Sequence, residues 1–162
     1  MAKTAGRRTA VERDEAWTPR LLYLVKRWYN ATRARLDEIT RRHDLTAGDY
    51  TMLSFLKRLQ PCSAAELSRE QQITPQAATQ QVAQLKAKGM VTAQENEANR
   101  RISLISMTAL GRSALAAISA EARLLEEEMM AGLAPAERRA IHAFMIRSIE
   151  TAEKKGKAAD GQ

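Results

Sequence analysis

Gln76, Thr79, Gln80, Gln84, Lys86 and Lys88, spaced between positions 76 and 88, can each hydrogen-bond a base edge or a phosphate. No acid interrupts them. Glutamine amides match the paired donor and acceptor of adenine, and lysines neutralise phosphate. Ala77, Ala78, Val82 and Leu85 recur between them at helical spacing, so one helix has an apolar face and a polar, acid-free face. That arrangement suits a helix that packs on a core and presents its outer face to a major groove.

Other chemistry finds little support in the residues. His43 and His142 are far apart, with no cysteine or acid at ligand spacing, so no metal site is expected. Glycine-rich phosphate loops, Ser-His-Asp patterns and CxxC pairs are absent, so neither an enzyme nor a cofactor is expected. Glu126-Glu-Glu128 reads as a solvated helix face. The single cysteine, Cys62, forbids an intrachain disulfide and has no obvious activating cation nearby.

The elements that must hold the polar helix can be read from their ends. Ser63 and Glu66 form a capping box that opens a short helix, and Ala65, Leu67 and Ile73 turn toward a core. Thr74 and Pro75 restart the chain as N-cap and first-turn proline, and Gly89 ends the second helix. Met90 to Gln94 and Ile102 to Met107 alternate as strands, joined by the polar turn Glu95 to Arg100. Upstream, Thr18-Pro19 opens a long helix to about His43, with Leu21, Val25, Trp28, Thr32, Leu36 and Ile39 on one face. Lys26, Arg27, Arg33, Arg35, Arg41 and Arg42 occupy the other. Thr46 and Asp49 form a second capping box before a helix that Pro61 stops. Downstream, Thr108 caps a helix to about Ala131, Gly132 ends it, and Pro135 opens the last one.

The fold class is therefore mainly α with a small β-hairpin. The expected divisions are a flexible tail over 1–16, helical assembly segments over 17–44 and 109–154, a helix-turn-helix with hairpin over 45–108, and a second flexible tail over 155–162. The terminal helices carry more apolar surface than a monomer of 162 residues needs, which points to a homodimer. A formal charge of +7 favours an anionic partner. No run of 18 apolar residues exists and no apolar stretch follows the basic N-terminus, so a cytoplasmic protein without a membrane span is expected.

These residues resemble the MarR family of winged helix-turn-helix regulators. The likeness runs from about Leu21 to Ile149. It is carried by Leu45-Thr46, Ala65-Glu66-Leu67-Ser68, Ile73-Thr74, Leu85 to Val91, Arg100-Arg101 and Met107-Thr-Ala-Leu-Gly111, in the family's order and spacing. The resemblance implies a winged helix with long N- and C-terminal dimerisation helices. It also implies a homodimer on double-stranded DNA, acting as a repressor at a pseudo-palindromic operator. Carried over, Thr74, Gln76, Thr79, Gln80 and Lys86 face bases or phosphates, Ser63 and Ser68 touch the DNA backbone, and Arg100 of the wing enters the minor groove. The family commonly places aspartate before that arginine. Here Asn99 stands there, and Arg101 is an alternative to Arg100.

Family members often bind a small aromatic acid between the long helices and the DNA-binding lobe. Arg20, Tyr23, Arg27, Trp28 and Tyr50 are the candidate ligand residues here, with Trp17 and Tyr29 nearby in sequence. Three alternatives stay open: an aryl-CoA thioester as effector, thiol oxidation at Cys62, and a winged-helix interaction module that reads no DNA.

Overall fold

The computed structural model describes residues 19–97 and 99–159, with backbone alone for Arg100, Arg101 and residues 155–159. The tail over 1–16, Trp17 and the capping position Thr18 lie outside the described residues. Among the described residues, six helices and one hairpin follow in order. They are α1 (Leu21–Arg41), α2 (Ala47–Leu59), α3 (Ala64–Gln71), α4 (Pro75–Ala87), β1 (Val91–Asn96), β2 (Asn99–Met107), α5 (Ala109–Met129) and α6 (Pro135–Ala159). Two compact units divide inside α5, one ending at Ile118 and the other starting at Ser119.

In the first unit, apolar residues on short helices meet around α2. Met52, Leu53 and Leu56 of α2, Leu67 of α3, Leu85 of α4, Ile105 of β2 and Ile118 of α5 are fully buried. Each contributes about 2 kcal/mol by leaving water. Only the C-terminal end of α1 joins this core, through Ile39 and Thr40. Its first turns keep Leu21, Leu22, Leu24, Val25, Trp28 and Tyr29 exposed, with Leu22 at 78%.

Both capping boxes form as their spacing demands. Thr46 accepts from the Asp49 amide at 3.0 Å and Asp49 returns the bond to the Thr46 amide at 3.0 Å. Ser63 and Glu66 do the same at the start of α3. Three helices of this unit end in one way, with a left-handed residue after the last turn. Asp44 (φ 54), Gln72 (φ 55) and Gly89 (φ 70) hold those positions. The next amide reaches back in each case: Leu45 to the Thr40 carbonyl, Ile73 to Ser68 and Met90 to Leu85.

The hairpin is longer than the alternation of apolar residues predicts. Its strands continue past Gln94 and begin before Ile102, so that Asn96 pairs with Asn99. An antiparallel ribbon is held by backbone bonds, which polar side chains do not prevent. Glu95 pairs with Ser103, which leaves residues 100–102 without partners across the hairpin. At its base, Cys62 and Ile105 exchange backbone bonds at 3.2 and 2.7 Å, adding a one-residue third strand.

In the second unit, α6 keeps Ile141, Phe144, Ile146 and Ile149 exposed. The Glu137 carboxylate accepts from the Ala134 amide at 2.7 Å, where α6 begins. The helix runs on to Ala159, so the backbone over 155–159 is helical where a flexible tail is expected. Alanine and lysine near that end favour helix, and polarity alone does not terminate one.

Candidate nucleic-acid interface

The polar helix α4 is held from both ends. Thr74 caps it, accepting from the Ala77 amide at 3.1 Å, and Pro75 fills the first turn. Ala78 and Leu85 bury themselves, while Gln81 and Val82 are half-buried. Gln76, Thr79, Gln80, Gln84 and Lys86 stand exposed on the other side. Ala77, expected on the apolar face, is exposed as well, because the buried stripe of α4 is narrow. The Thr79 hydroxyl donates to the Pro75 carbonyl at 2.9 Å, which leaves its lone pairs available to a donor.

The two serines at α3, Ser68 and the N-cap Ser63, are less exposed than the outer-face polar residues of α4. Ser68 is only 5% exposed, and its hydroxyl donates to the Ile73 carbonyl at 2.7 Å. It shapes the turn between α3 and α4 and is withdrawn from the surface. Ala65, expected in the core, is exposed. Ser63 is half-buried, and its hydroxyl sits 2.8 Å from a Glu66 carboxylate oxygen. The bonds from the Ser63 amide and hydroxyl hold the Glu66 carboxyl below its ordinary range. The serine is first a helix cap.

The wing stands beside α4. Asn99 is exposed and begins β2. The side chains of Arg100 and Arg101 lie outside the described residues, but their backbone falls in the stretch without partners across the hairpin. Between α3, α4 and the hairpin lies a mostly apolar cleft of about 430 Å³, lined among others by Ser63, Thr79, Val82, Lys86, Ile102 and Ile105. Nothing in the sequence announces this cleft, because its walls come from three separate elements.

Of the candidate ligand residues, Arg20 is the N-cap residue of α1 and makes no side-chain cap bond. Tyr23, Arg27 and Trp28 are exposed on the first two turns. The Arg27 guanidinium lies 6.0 Å from the centre of the Tyr23 ring, at the outer limit of a cation–π contact. Tyr50 is half-buried on α2.

Cys62 is 3% exposed, and burial, followed by the Glu66 charge, pushes its thiol up to about 11. That environment disfavours the reactive thiolate. Among the described residues, no group of three His, Cys, Asp or Glu could hold a metal ion, and no helix is long and apolar enough to cross a membrane.

The sequence also conceals two contacts that position α4 and the wing. Lys88 bonds the Asp49 carboxylate at 3.1 Å and the Asp44 carbonyl at 2.8 Å. The Gln60 side chain accepts from the Met107 amide at 2.7 Å, tying the end of α2 to the base of the wing. These partners are 39, 44 and 47 residues apart, beyond the reach of any local pattern.

Comparison with known proteins places this geometry. Residues 43–102 match the family model described as MarR family. A MarR family transcription regulator superposes with a TM-score of 0.77 at 18% identity, covering 84% of this chain and 90% of that one. MepR of S. aureus, in its DNA complex, gives 0.75 at 15% identity, covering 83% and 99%. BpsR of Bordetella bronchiseptica, whose DNA binding is regulated by 6-hydroxynicotinic acid, gives 0.70 at 24% identity, covering 83% and 95%. No curated protein matches the sequence. The resemblance to the MarR family stands, and the fold is the winged helix of MarR structures.

Proposed function

We propose that this chain, whose winged helix is of MarR type, is a homodimeric, sequence-specific DNA-binding regulator of transcription that acts as a repressor in the cytoplasm. The observation that carries the reading is the outer face of α4, where Gln76, Thr79, Gln80 and Lys86 are exposed and no acid stands among them. In this reading α4 enters a major groove, and the wing tip, with Asn99 and Arg100 or Arg101, enters the neighbouring minor groove. The MepR complex supports it as a neighbour of like fold bound to DNA. The exposed apolar residues of α1, and separately those of α6, support a dimer, since a lone chain would leave them in water. The dimer then presents two α4 helices to half-sites about one helical turn apart.

The effector in this reading is a small aromatic acid, met by Arg20 or Arg27 among the Tyr23, Trp28 and Tyr50 rings. The support is the guanidinium and ring pair on α1 and the hydroxynicotinic acid of BpsR. Binding of the acid favours a dimer whose α4 spacing no longer fits the operator.

Gln76→Ala and Arg100→Ala test the reading surface on the operator at fixed salt. A lost bidentate base contact is expected to weaken binding by about 1–3 kcal/mol. Affinity is also expected to fall steeply with added salt, through counterion release. Undiminished binding by both variants overturns the assignment of α4 and the wing as the reading surface.

A further inference from the structure

Lys88 is the C-cap residue of α4, and its side chain leaves that helix to grip two others. One bond goes to Asp49, in the capping box that opens α2 and 1% exposed. The second goes to the carbonyl of Asp44, the left-handed residue that closes α1. The Asp44 and Leu45 amides return to the Arg41 and Thr40 carbonyls, so the acceptor is itself fixed. Two turns earlier on α4, Gln81 lies over Gly48, so close that a Cβ there would be 2.9 Å from the Gln81 side-chain nitrogen. The first turn of α2 therefore meets α4 through two of its long side chains, Gln81 and Lys88.

We propose that Lys88 is a positioning residue for DNA reading: its clasp on Asp49 and Asp44 sets the tilt of α4 against the α1–α2 corner. The proposal rests on the DNA-reading role of α4 given above. Gln76 and Lys88 are twelve residues apart on one helix, about 18 Å at 1.5 Å per residue. A tilt of about 5° at the clasp moves the Gln76 end by about 1.5 Å, beyond the roughly 0.5 Å that a constellation of directed contacts tolerates. Buried Ala78 and Leu85 keep α4 on the core by apolar contact, and the Lys88 bonds add a directed contact at its C-terminal end. Since Asp44 closes α1, the same lysine carries any displacement of the α1 end to the reading helix.

Sign separates this role from a plain phosphate contact by Lys88. Asp49→Asn keeps an oxygen for the Thr46 amide but removes the charge facing Lys88, and it makes the chain more positive by one. If Lys88 served DNA phosphate directly, that change would leave binding unchanged or tighten it. The clasp predicts that it weakens the reading of sequence.

The test begins by recovering a preferred duplex from a random-sequence pool with the full-length wild-type protein. If no sequence is enriched, the DNA-reading function itself falls, whatever Lys88 does. With the recovered duplex and an unrelated one of equal length, Lys88→Met and Asp49→Asn are each expected to weaken the recovered duplex about tenfold, as for loss of a charged hydrogen bond. The unrelated duplex is expected to change by no more than about threefold, the size of one lost phosphate interaction. Lys88→Arg, which can still reach a carboxylate, is expected to restore most of the preference. Equal weakening on both duplexes, or wild-type preference in Asp49→Asn, overturns the proposal. So does a loss of the folded circular dichroism spectrum in both variants, which makes the clasp a folding element only.

Discussion

Gly111→Ala is expected to destabilise the protein although it places alanine, the best helix former, inside a helix. The residue lies in the first turn of α5, where its amide donates to the Thr108 hydroxyl oxygen at 3.0 Å. The Thr108 hydroxyl in turn lies 2.7 Å from the Gly89 carbonyl and 3.1 Å from the Met90 carbonyl. A Cβ added at position 111 would stand 2.1 Å from the Met90 carbonyl oxygen and 3.0 Å from its carbon. Both are backbone atoms, so no rotamer change relieves the clash; α5 or the residues before β1 must shift. Propensity alone would make the alanine variant more stable by up to about 1 kcal/mol. Overpacking against a fixed neighbour costs about 1–3 kcal/mol, and the depth of this overlap puts it at the upper end. The expected result is a net loss of about 2 kcal/mol, or roughly 4–8 °C in Tm for a chain of this size. Urea unfolding at fixed protein concentration measures it, because the stability of any assembly depends on concentration. The midpoint is expected to fall with an unchanged slope. A variant as stable as wild type, or more so, refutes the claim that α5 leaves the wing through a glycine-tight contact.

Two further outcomes follow from local electrostatics. Cys62 is expected to react with a neutral disulfide reagent at pH 8 far more slowly in the folded protein than in urea, given a thiol raised to about 11. Its raised value stabilises the fold fully below the ordinary thiol range and loses that contribution as pH rises through the window up to about 11. Rapid labelling of the folded chain, with release of bound DNA, would restore the thiol-oxidation alternative. Ser63→Ala is expected to cost about 1 kcal/mol at neutral pH through loss of the α3 cap. The Glu66 carboxyl lies below its ordinary range, so the box is intact above that range and weakens as pH falls through it toward the lowered value. Denaturant midpoints at pH 7 and pH 3 are therefore expected to show a smaller penalty for Ser63→Ala in acid; an equal penalty at both argues that the carboxylate plays no part.

The features legible in the sequence were those whose partners are near in the chain. Ser63 with Glu66, Thr46 with Asp49, and Thr74 with Pro75 each act within one turn, and all three form. Gly89 was readable as a helix end because glycine accepts a positive φ without strain. Asp44 and Gln72 close helices in the same left-handed conformation, but their residue types do not announce it. The burial of Ser68 is not legible for a related reason. A serine on a short polar helix looks like a surface donor, and only the folded turn brings the Ile73 carbonyl to its hydroxyl. The clasp of Lys88, the Gln60 bond to the wing and the close approach at Gly111 arise between elements, so no local pattern contains them. The apolar stripe of α1 is local to one helix and so is legible, and its first turns stand exposed.

The one-residue bridge between Cys62 and Ile105 gives the hairpin a fulcrum. Ile105 is held on one side by Ala93 of β1 and on the other by the Cys62 backbone, so this point of the wing moves with the body of the first unit. Beyond it the paired ribbon runs three more residues along β1, from Ala93 to Asn96, or about 10 Å of extended strand. A rotation of about 10° at the fulcrum sweeps that end through roughly 1.7 Å, about a quarter of the width of a minor groove. The hairpin is thus a lever arm whose short end is pinned by two backbone bonds, and a small repacking near Cys62 arrives at the tip enlarged.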